Sequence, residues 1–270
     1  MARRIAVASQ KGGVGKTTSV ASLGVALAEL GQRVLLVDLD PQACLTFSLG
    51  IDPENLSSSV HEVITGQVSA RSVIVATGEG VDLLPSTIDL AQSEASLVGR
   101  SSAVFTLQRA LALIDDEYDI VLLDCPPTLG ILTINALTAA HEVLVPLQCE
   151  TLAHRGVGQV VETVAEVQRV SNPELVVLGF LPTMFDGRTT HAQAVLSDIG
   201  TRYQMPVLDP PIPRSVRFAE APAIGRTVLS TSPQLRGSEI YREHARRLLG
   251  LDVSSSDAPE VTQQPPITPR

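Results

Sequence analysis

Apolar residues recur along this chain in two alternating patterns. Residues 4–9 form a short, apolar, partly β-branched run that enters the glycine-rich stretch QKGGVGKTT, the pattern of a strand feeding a loop. From residue 16 to 30 the spacing changes. Val20, Leu23, Leu27 and Leu30 fall at intervals of three and four, and Gly31 follows as a stop, which predicts a helix. Residues 33–38 return to an unbroken apolar run closed by an acid, as a parallel strand covered on both faces requires. The same theme recurs at residues 119–124, 142–147 and 175–181, with helical stretches between. The clearest of these helices covers 154–170, where Val157, Val160, Val161, Val164 and Val167 make one stripe that core packing explains. The alternation predicts an α/β fold, a doubly wound, mostly parallel sheet flanked by helices, in a single domain over residues 1–250. Residues 251–270 carry four prolines and no aromatic, too little apolar surface to offset ordering entropy, and are expected to be a disordered polar tail.

Composition narrows the class. With 44% hydrophobic and 18% charged residues the chain can bury a sizeable core. No apolar run approaches the roughly 18 residues of a membrane span, and the apolar stretch near the N-terminus is too short for a signal-peptide core. A cytoplasmic protein with no membrane partner is expected. Cys44, Cys125 and Cys149 lie far apart without a CxxC, so no disulfide framework or metal knuckle is encoded locally.

The net charge of −9 argues against nucleic acid as a partner until its distribution is considered. Residues 200–250 hold eight arginines against four acids, a local balance of +4, while residues 251–270 carry −2 and residues 1–199 carry −11. Arginine supplies all the positive charge except Lys11 and Lys16, and both lysines fall in one loop. That pair marks places where a compact ammonium does what a guanidinium cannot.

A glycine-rich loop between strand and helix aims backbone N–H groups at an anion, at the positive end of the helix dipole. Here the loop ends in Gly15-Lys16-Thr17. Lys16 would neutralise terminal phosphates, Thr17 would offer its hydroxyl to Mg²⁺, and Thr18 could reach the α-phosphate. The strict G-x-x-x-x-G-K-T pattern fails because position 10 is Gln; a second cation stands beside it, giving Lys11-Gly12-Gly13-Val14-Gly15-Lys16-Thr17. Asp38 and Asp40 close one apolar strand and Asp124 another, so three acids are expected near the loop. Asp124 suits the acid that holds the water shell of Mg²⁺, Asp38 is grouped with it at the metal, and Asp40 is the candidate for orienting an attacking water.

The motifs KGGVGKTT, DLDPQ, DCPPTLGILTINAL, VPLQCE, the TMFDGRT segment and IPRSVRFAEAPAIG occur in that order, and with them the chain resembles the ParA/Soj family of deviant Walker A P-loop ATPases over residues 3–249. The resemblance implies a P-loop NTPase fold, ATP and Mg²⁺ as cofactors, and ATP hydrolysis. It makes Lys11 the lysine that reaches the nucleotide of the opposite subunit in an ATP-sandwich homodimer, and Asp40 the hydrolytic aspartate. Glu150 is placed near that interface, and Met184 with Pro211-Ile212-Pro213-Arg214 beside adenine. It implies non-specific double-stranded DNA as a partner through Arg188 and Arg217, a ParB-like activator, and association with the nucleoid. Arg214, Arg246 and Arg247 are further DNA candidates from local charge alone.

Two stretches depart from the family pattern. DPQGNAT is here Asp40-Pro41-Gln42-Ala43-Cys44-Leu45-Thr46, with Cys44 expected as a small space-filler, and YALEG after QCE is Leu152-Ala153-His154-Arg155-Gly156 preceded by Thr151, with His154 expected at a helix start. Other functions in the superfamily fit less well. A MinD-like regulator needs a basic amphipathic C-terminus where this one is acidic and proline-rich, and an iron–sulfur carrier needs bridging cysteines. An orphan ParA-like protein that positions a non-DNA cargo stays open.

Overall fold

The structure, a computed structural model, describes residues 1–97, 102–150 and 153–251 of the chain. Runs of apolar residues become strands where both faces are covered. Among the described residues these are β1 (Arg3–Val7), β2 (Val34–Asp38), β3 (Val75–Ala76), β4 (Asp82–Leu84), β5 (Ile120–Asp124), β6 (Glu142–Gln148) and β7 (Val176–Thr183). They form one sheet in the order β3-β4-β2-β5-β1-β6-β7, parallel except for the short β3–β4 pair. β1 lies between β5 and β6, so the chain builds one half of the sheet on its first side and the other half on its second. The reversal falls at the carboxyl end of β1, where residues 8–15 begin, and this is where an open α/β sheet leaves a crevice for a ligand.

The helices are α1 (Lys16–Glu29), α2 (Cys44–Ser48), α3 (Val60–Ile64), α4 (Leu90–Leu97), α5 (Thr106–Ala112), α6 (Ile131–Ala139), α7 (Ala153–Val170), α8 (Thr190–Tyr203), α9 (Arg217–Glu220), α10 (Val228–Thr231) and α11 (Arg236–Leu248). Strand alternation divides the interior into two cores. Ala6, Leu35, Val37, Val121, Leu123 and Val143 pack with α3 to α8 on one face, and Ile5, Val7, Val34, Leu36, Ile120 and Leu122 pack with α1, α2, α10 and α11 on the other. The predicted α/β class is the one observed. The valine stripe of α7 is buried at Val157, Val160, Val164 and Val167, each side chain worth about 2 kcal/mol in removal from water.

The first and last helices lie together. Tyr241 of α11 is buried against α1, its hydroxyl 3.0 Å from Ser19 Oγ, and Arg242 forks onto Glu29 at 2.6 and 2.8 Å. A second tie joins the β3–β4 edge to the C-terminal segment. The buried Glu79 carboxylate accepts hydrogen bonds from Thr227 Oγ1 (2.5 Å) and Ser230 Oγ (2.6 Å) and pairs with Arg226. Gly225 meets Gly50 backbone to backbone; a Cβ at Gly225, where φ is +66°, would lie 2.6 Å from the Gly50 Cα.

β7 is the far edge of the sheet, and an irregular stretch lies along it. Phe180 N–H donates to Pro206 O (2.8 Å), Leu208 N–H to Phe180 O (2.8 Å), Ile212 N–H to Pro182 O (2.8 Å) and Phe185 N–H to Ile212 O (2.9 Å). β3 and β4, which the sequence pattern did not foresee, are too short to show a period. The expected tail lies, from residue 252 onward, outside the described residues, as do Thr151 and Leu152.

Candidate functional site

The loop between β1 and α1 takes its shape from two glycines. Gly13 and Gly15 have φ of +71° and +83°, where side chains are strained, and Gly15 caps α1 without any side-chain acceptor of its own. The first N–H groups of a 14-residue helix therefore point out of the chain beside the loop, the arrangement that binds phosphate. Val14 is buried and fixes the loop from below, because Thr183 Oγ1 at the end of β7 donates to its carbonyl (2.7 Å). Gly12 and Gly13 are exposed, Thr17 and Thr18 half-buried.

The two lysines face different surroundings. Lys16 is 7% exposed, its Nζ 3.3 Å from the Lys11 carbonyl; burial lowers its pKa, and the charges of Asp124, Cys125 and Asp40 oppose that shift. Lys11 is exposed. Its ammonium reaches Gln148 Oε1 (3.2 Å) at the end of β6 and Glu150 Oε2 (2.5 Å) just beyond it.

Three aspartates meet at the carboxyl ends of β2 and β5, where the register pairs Asp38 with Asp124. Asp124 is fully buried and both its oxygens lack a hydrogen-bond partner. Burial raises its pKa well above the carboxylate range, Asp38 adds to the rise, and Thr17 and Lys16 oppose it. Asp38 has a different setting from the metal grouping expected for it. Its Oδ2 accepts both the N–H and the hydroxyl of Thr46 (2.8 Å each) and its Oδ1 accepts the Asp40 N–H (3.1 Å), while burial raises its pKa to about 6. Those donors use it inside the chain. Asp40 is half-buried at the head of a turn in which Oδ1 accepts the Gln42 N–H (2.9 Å).

An orphaned, buried carboxylate beside a lysine and a threonine hydroxyl has more negative than positive charge around it. A divalent cation with its water shell fits that donor set, since it would satisfy the Asp124 oxygens and lower the cost of keeping them ionised. Met184, at φ +50°, closes β7, and the hydrogen bond between Phe185 and Ile212 brings it next to Pro211-Ile212-Pro213; Ile212 is buried and Arg214 exposed. A shallow, solvent-open cleft follows the flank of α1 from Thr17 and Thr18 to Ser48, Phe218 and Arg226, and Met184 does not line it. Sequence reasoning missed Phe218 and Arg226 there.

Of the arginines expected at DNA, Arg188, Arg217 and Arg247 are paired locally. Arg188, 89% exposed, forks onto Asp186 (2.9 and 2.8 Å) and holds that carboxyl down at about 2. Arg217 bonds Glu220 (2.8 Å), and Arg247 pairs with Glu243 (2.6 Å) and the Asp209 carbonyl. Cys44 corrects the space-filler expectation. It is exposed at the start of α2, and the packing there is done by Ala43, Leu45 and Thr46. His154 lies in the first turn of α7, 3.0 Å from Asp198.

A family model described as an AAA domain matches residues 2–177. The chromosome-partitioning ATPase Soj of Thermus thermophilus is 44% identical over 92% of this chain and 95% of its own, and the sporulation initiation inhibitor protein Soj of Bacillus subtilis is 41% identical over 92% and 98%. The chain belongs to the ParA/Soj family of ATPases. A Mycobacterium smegmatis structure, described as cobyrinic acid a,c-diamide synthase with bound ATP analogue and magnesium, has 55% identity and a TM-score of 0.83, covering 92% of this chain and 95% of that one. As a ParA/Soj chain, this protein carries its signature lysines at the two ends of one loop, one buried and one at the surface.

Proposed function

We propose that this chain is a DNA-positioning ATPase: ATP drives homodimerisation, the dimer binds double-stranded DNA without sequence preference, and a ParB-like partner stimulates hydrolysis and release. The observation that carries the reading is the division of the lysines. Lys16 is buried at the head of α1, where it serves its own subunit's phosphates, whereas Lys11 is exposed and suited to a nucleotide held by a second copy. Residues 1–250 act as one ATPase domain in the cytoplasm, on the nucleoid, with 251–270 as a polar tail. Gly12 to Thr18 cradle the phosphates, Met184 and Pro211 to Arg214 flank the base, and Asp40 orients the attacking water. Thr17 and Asp124 hold Mg²⁺, the latter through its water shell. Bound there, Mg²⁺ neutralises charge on the phosphate oxygens.

The M. smegmatis description favours a second reading, ATP-dependent amide formation on a carboxylic acid, with the same phosphate loop and a different acceptor. The two separate by what the ATP is spent on. DNA binding is measured with ATP, with ADP and without nucleotide, for wild type, Arg188→Glu and Arg217→Glu. Partition function predicts binding only with ATP and its loss in both variants. Binding that ignores nucleotide, or ATP consumption that tracks an added amine and carboxylate but not DNA, would defeat it.

A further inference from the structure

Asp40 is gripped through both of its flanking peptide groups by a closed run of internal hydrogen bonds. Its N–H donates to Asp38 Oδ1 (3.1 Å), and Asp38 Oδ2 accepts the Thr46 N–H and hydroxyl (2.8 Å each). Thr46 Oγ1 in turn accepts the Ser86 N–H (2.9 Å), and the Ser86 hydroxyl donates back to the Asp40 carbonyl (2.8 Å). Asp38, Thr46 and Ser86 are all 0% exposed. That carbonyl also accepts the Ala43 N–H (2.9 Å), so both its lone pairs are occupied. Each hydroxyl gives its single proton to the next member, and the donors and acceptors along the run match.

We propose that Thr46 and Ser86, acting through Asp38 and the Asp40 backbone, are positioning residues that hold Asp40 in the geometry needed for hydrolysis. The inference rests on the reading of Asp40 as the group that orients water. The members come from three places in the fold: the end of β2, the interior of α2, and the loop that follows β4. A network confined to folding would need no link to both of the peptide groups that flank the Asp40 Cα. Loss of the Thr46 hydroxyl leaves the buried Ser86 N–H unpaired, and loss of the Ser86 hydroxyl leaves the Asp40 carbonyl held by the Ala43 N–H alone; either frees the turn on one side, and displacement of a catalytic group by about 1 Å can cost 100-fold in rate.

The test is single-turnover and steady-state ATP hydrolysis by the full chain with Mg²⁺ and duplex DNA, for wild type, Ser86→Ala, Thr46→Val, Thr46→Ser and Asp40→Ala. Ser86→Ala and Thr46→Val are expected to lower kcat about 10-fold or more with KM for ATP within about threefold of wild type, and Thr46→Ser to recover kcat to within about threefold. Wild-type kcat in Ser86→Ala and Thr46→Val, beside an inactive Asp40→Ala, overturns the positioning role alone. Wild-type turnover in Asp40→Ala instead removes the reading beneath it. If Thr46→Val does not fold, Ser86→Ala decides together with amide exchange. Faster exchange at Asp40 with lowered kcat supports the proposal, and unchanged exchange with unchanged kcat overturns it.

Discussion

Ala43 stands at φ +51° with ψ +34°, a left-handed conformation that an L side chain adopts at a cost of about 1 to 2 kcal/mol. It stands where the turn after Asp40, closed by the Ala43 N–H on the Asp40 carbonyl, passes into α2, whose Phe47 N–H the Ala43 carbonyl accepts. Ala43→Gly should therefore raise the unfolding free energy by about 1 kcal/mol, a net value after the greater freedom of glycine in the unfolded chain; urea denaturation measures it. The lysines give a sharper contrast. Lys16→Ala should abolish nucleotide binding in equilibrium titration, while Lys11→Ala should keep most of it and lose ATP-dependent dimerisation, with its cost in the free monomer limited to an exposed pair with Glu150. The lysines and the acids Asp40 and Asp124 were legible in the sequence because a glycine-spaced loop and acids ending apolar runs leave a local pattern. Thr46, Ser86 and Thr183 were not. A single hydroxyl has no spacing signature, and each of these acts on a residue that is near only once the sheet has formed.

Among the elements, β1, β2, β5, β6 and β7 could be read because burial on both faces demands unbroken apolar runs. α1 and α7 could be read because each covers one core with a fixed stripe. α11 shows what the pattern hides, since its arginine-rich sequence looks solvated and yet it buries Tyr241 and His244. His244 Nε2–H donates to the Pro210 carbonyl (2.9 Å), which assigns the proton to that nitrogen. Burial, helped by Arg247 and opposed by the Pro210 bond and Asp209, lowers its pKa from 6.5 to about 4. Between those values the unfolded chain binds a proton that the folded chain refuses, so stability falls as pH falls through this window and is fully regained above it. The size is on the order of 3 kcal/mol. Urea midpoints of wild type and His244→Gln at pH 4.5 and 7.5 check this, with a smaller acid loss expected in the variant.

Over the whole molecule, the excess of arginine in residues 200–250 does not make a bare positive face. Arg217, Arg226, Arg236, Arg242 and Arg247 each have a carboxylate partner, two of them, Glu79 and Glu29, drawn from the acidic N-terminal part. Charge segregated along the sequence is thus partly remixed by folding, which no reading of linear charge could show. Under the proposed function DNA would have to displace such pairs, and a monomer of net charge −9 would offer few contacts, so affinity is expected to come from doubling them in the proposed dimer. Each phosphate contact adds roughly −0.9 to the slope of log affinity against log salt. Asp40→Ala, which should bind ATP without hydrolysing it, is expected to accumulate as dimer by light scattering and to show a steep slope in the presence of ATP. A monomeric Asp40→Ala would refute the role given to that residue.

The stretch along β7 has a consequence for behaviour in concentrated solution. An eight-residue strand at the rim of a sheet is a template for another chain, and here residues 206–212 occupy part of its hydrogen-bonding row. The same stretch runs into Pro211–Arg214, the loop assigned to the base. Occupancy of the base site and protection from self-association would then be one event. Starved of nucleotide, the protein should cloud on warming sooner than when saturated with ADP, as the rim opens to its neighbours.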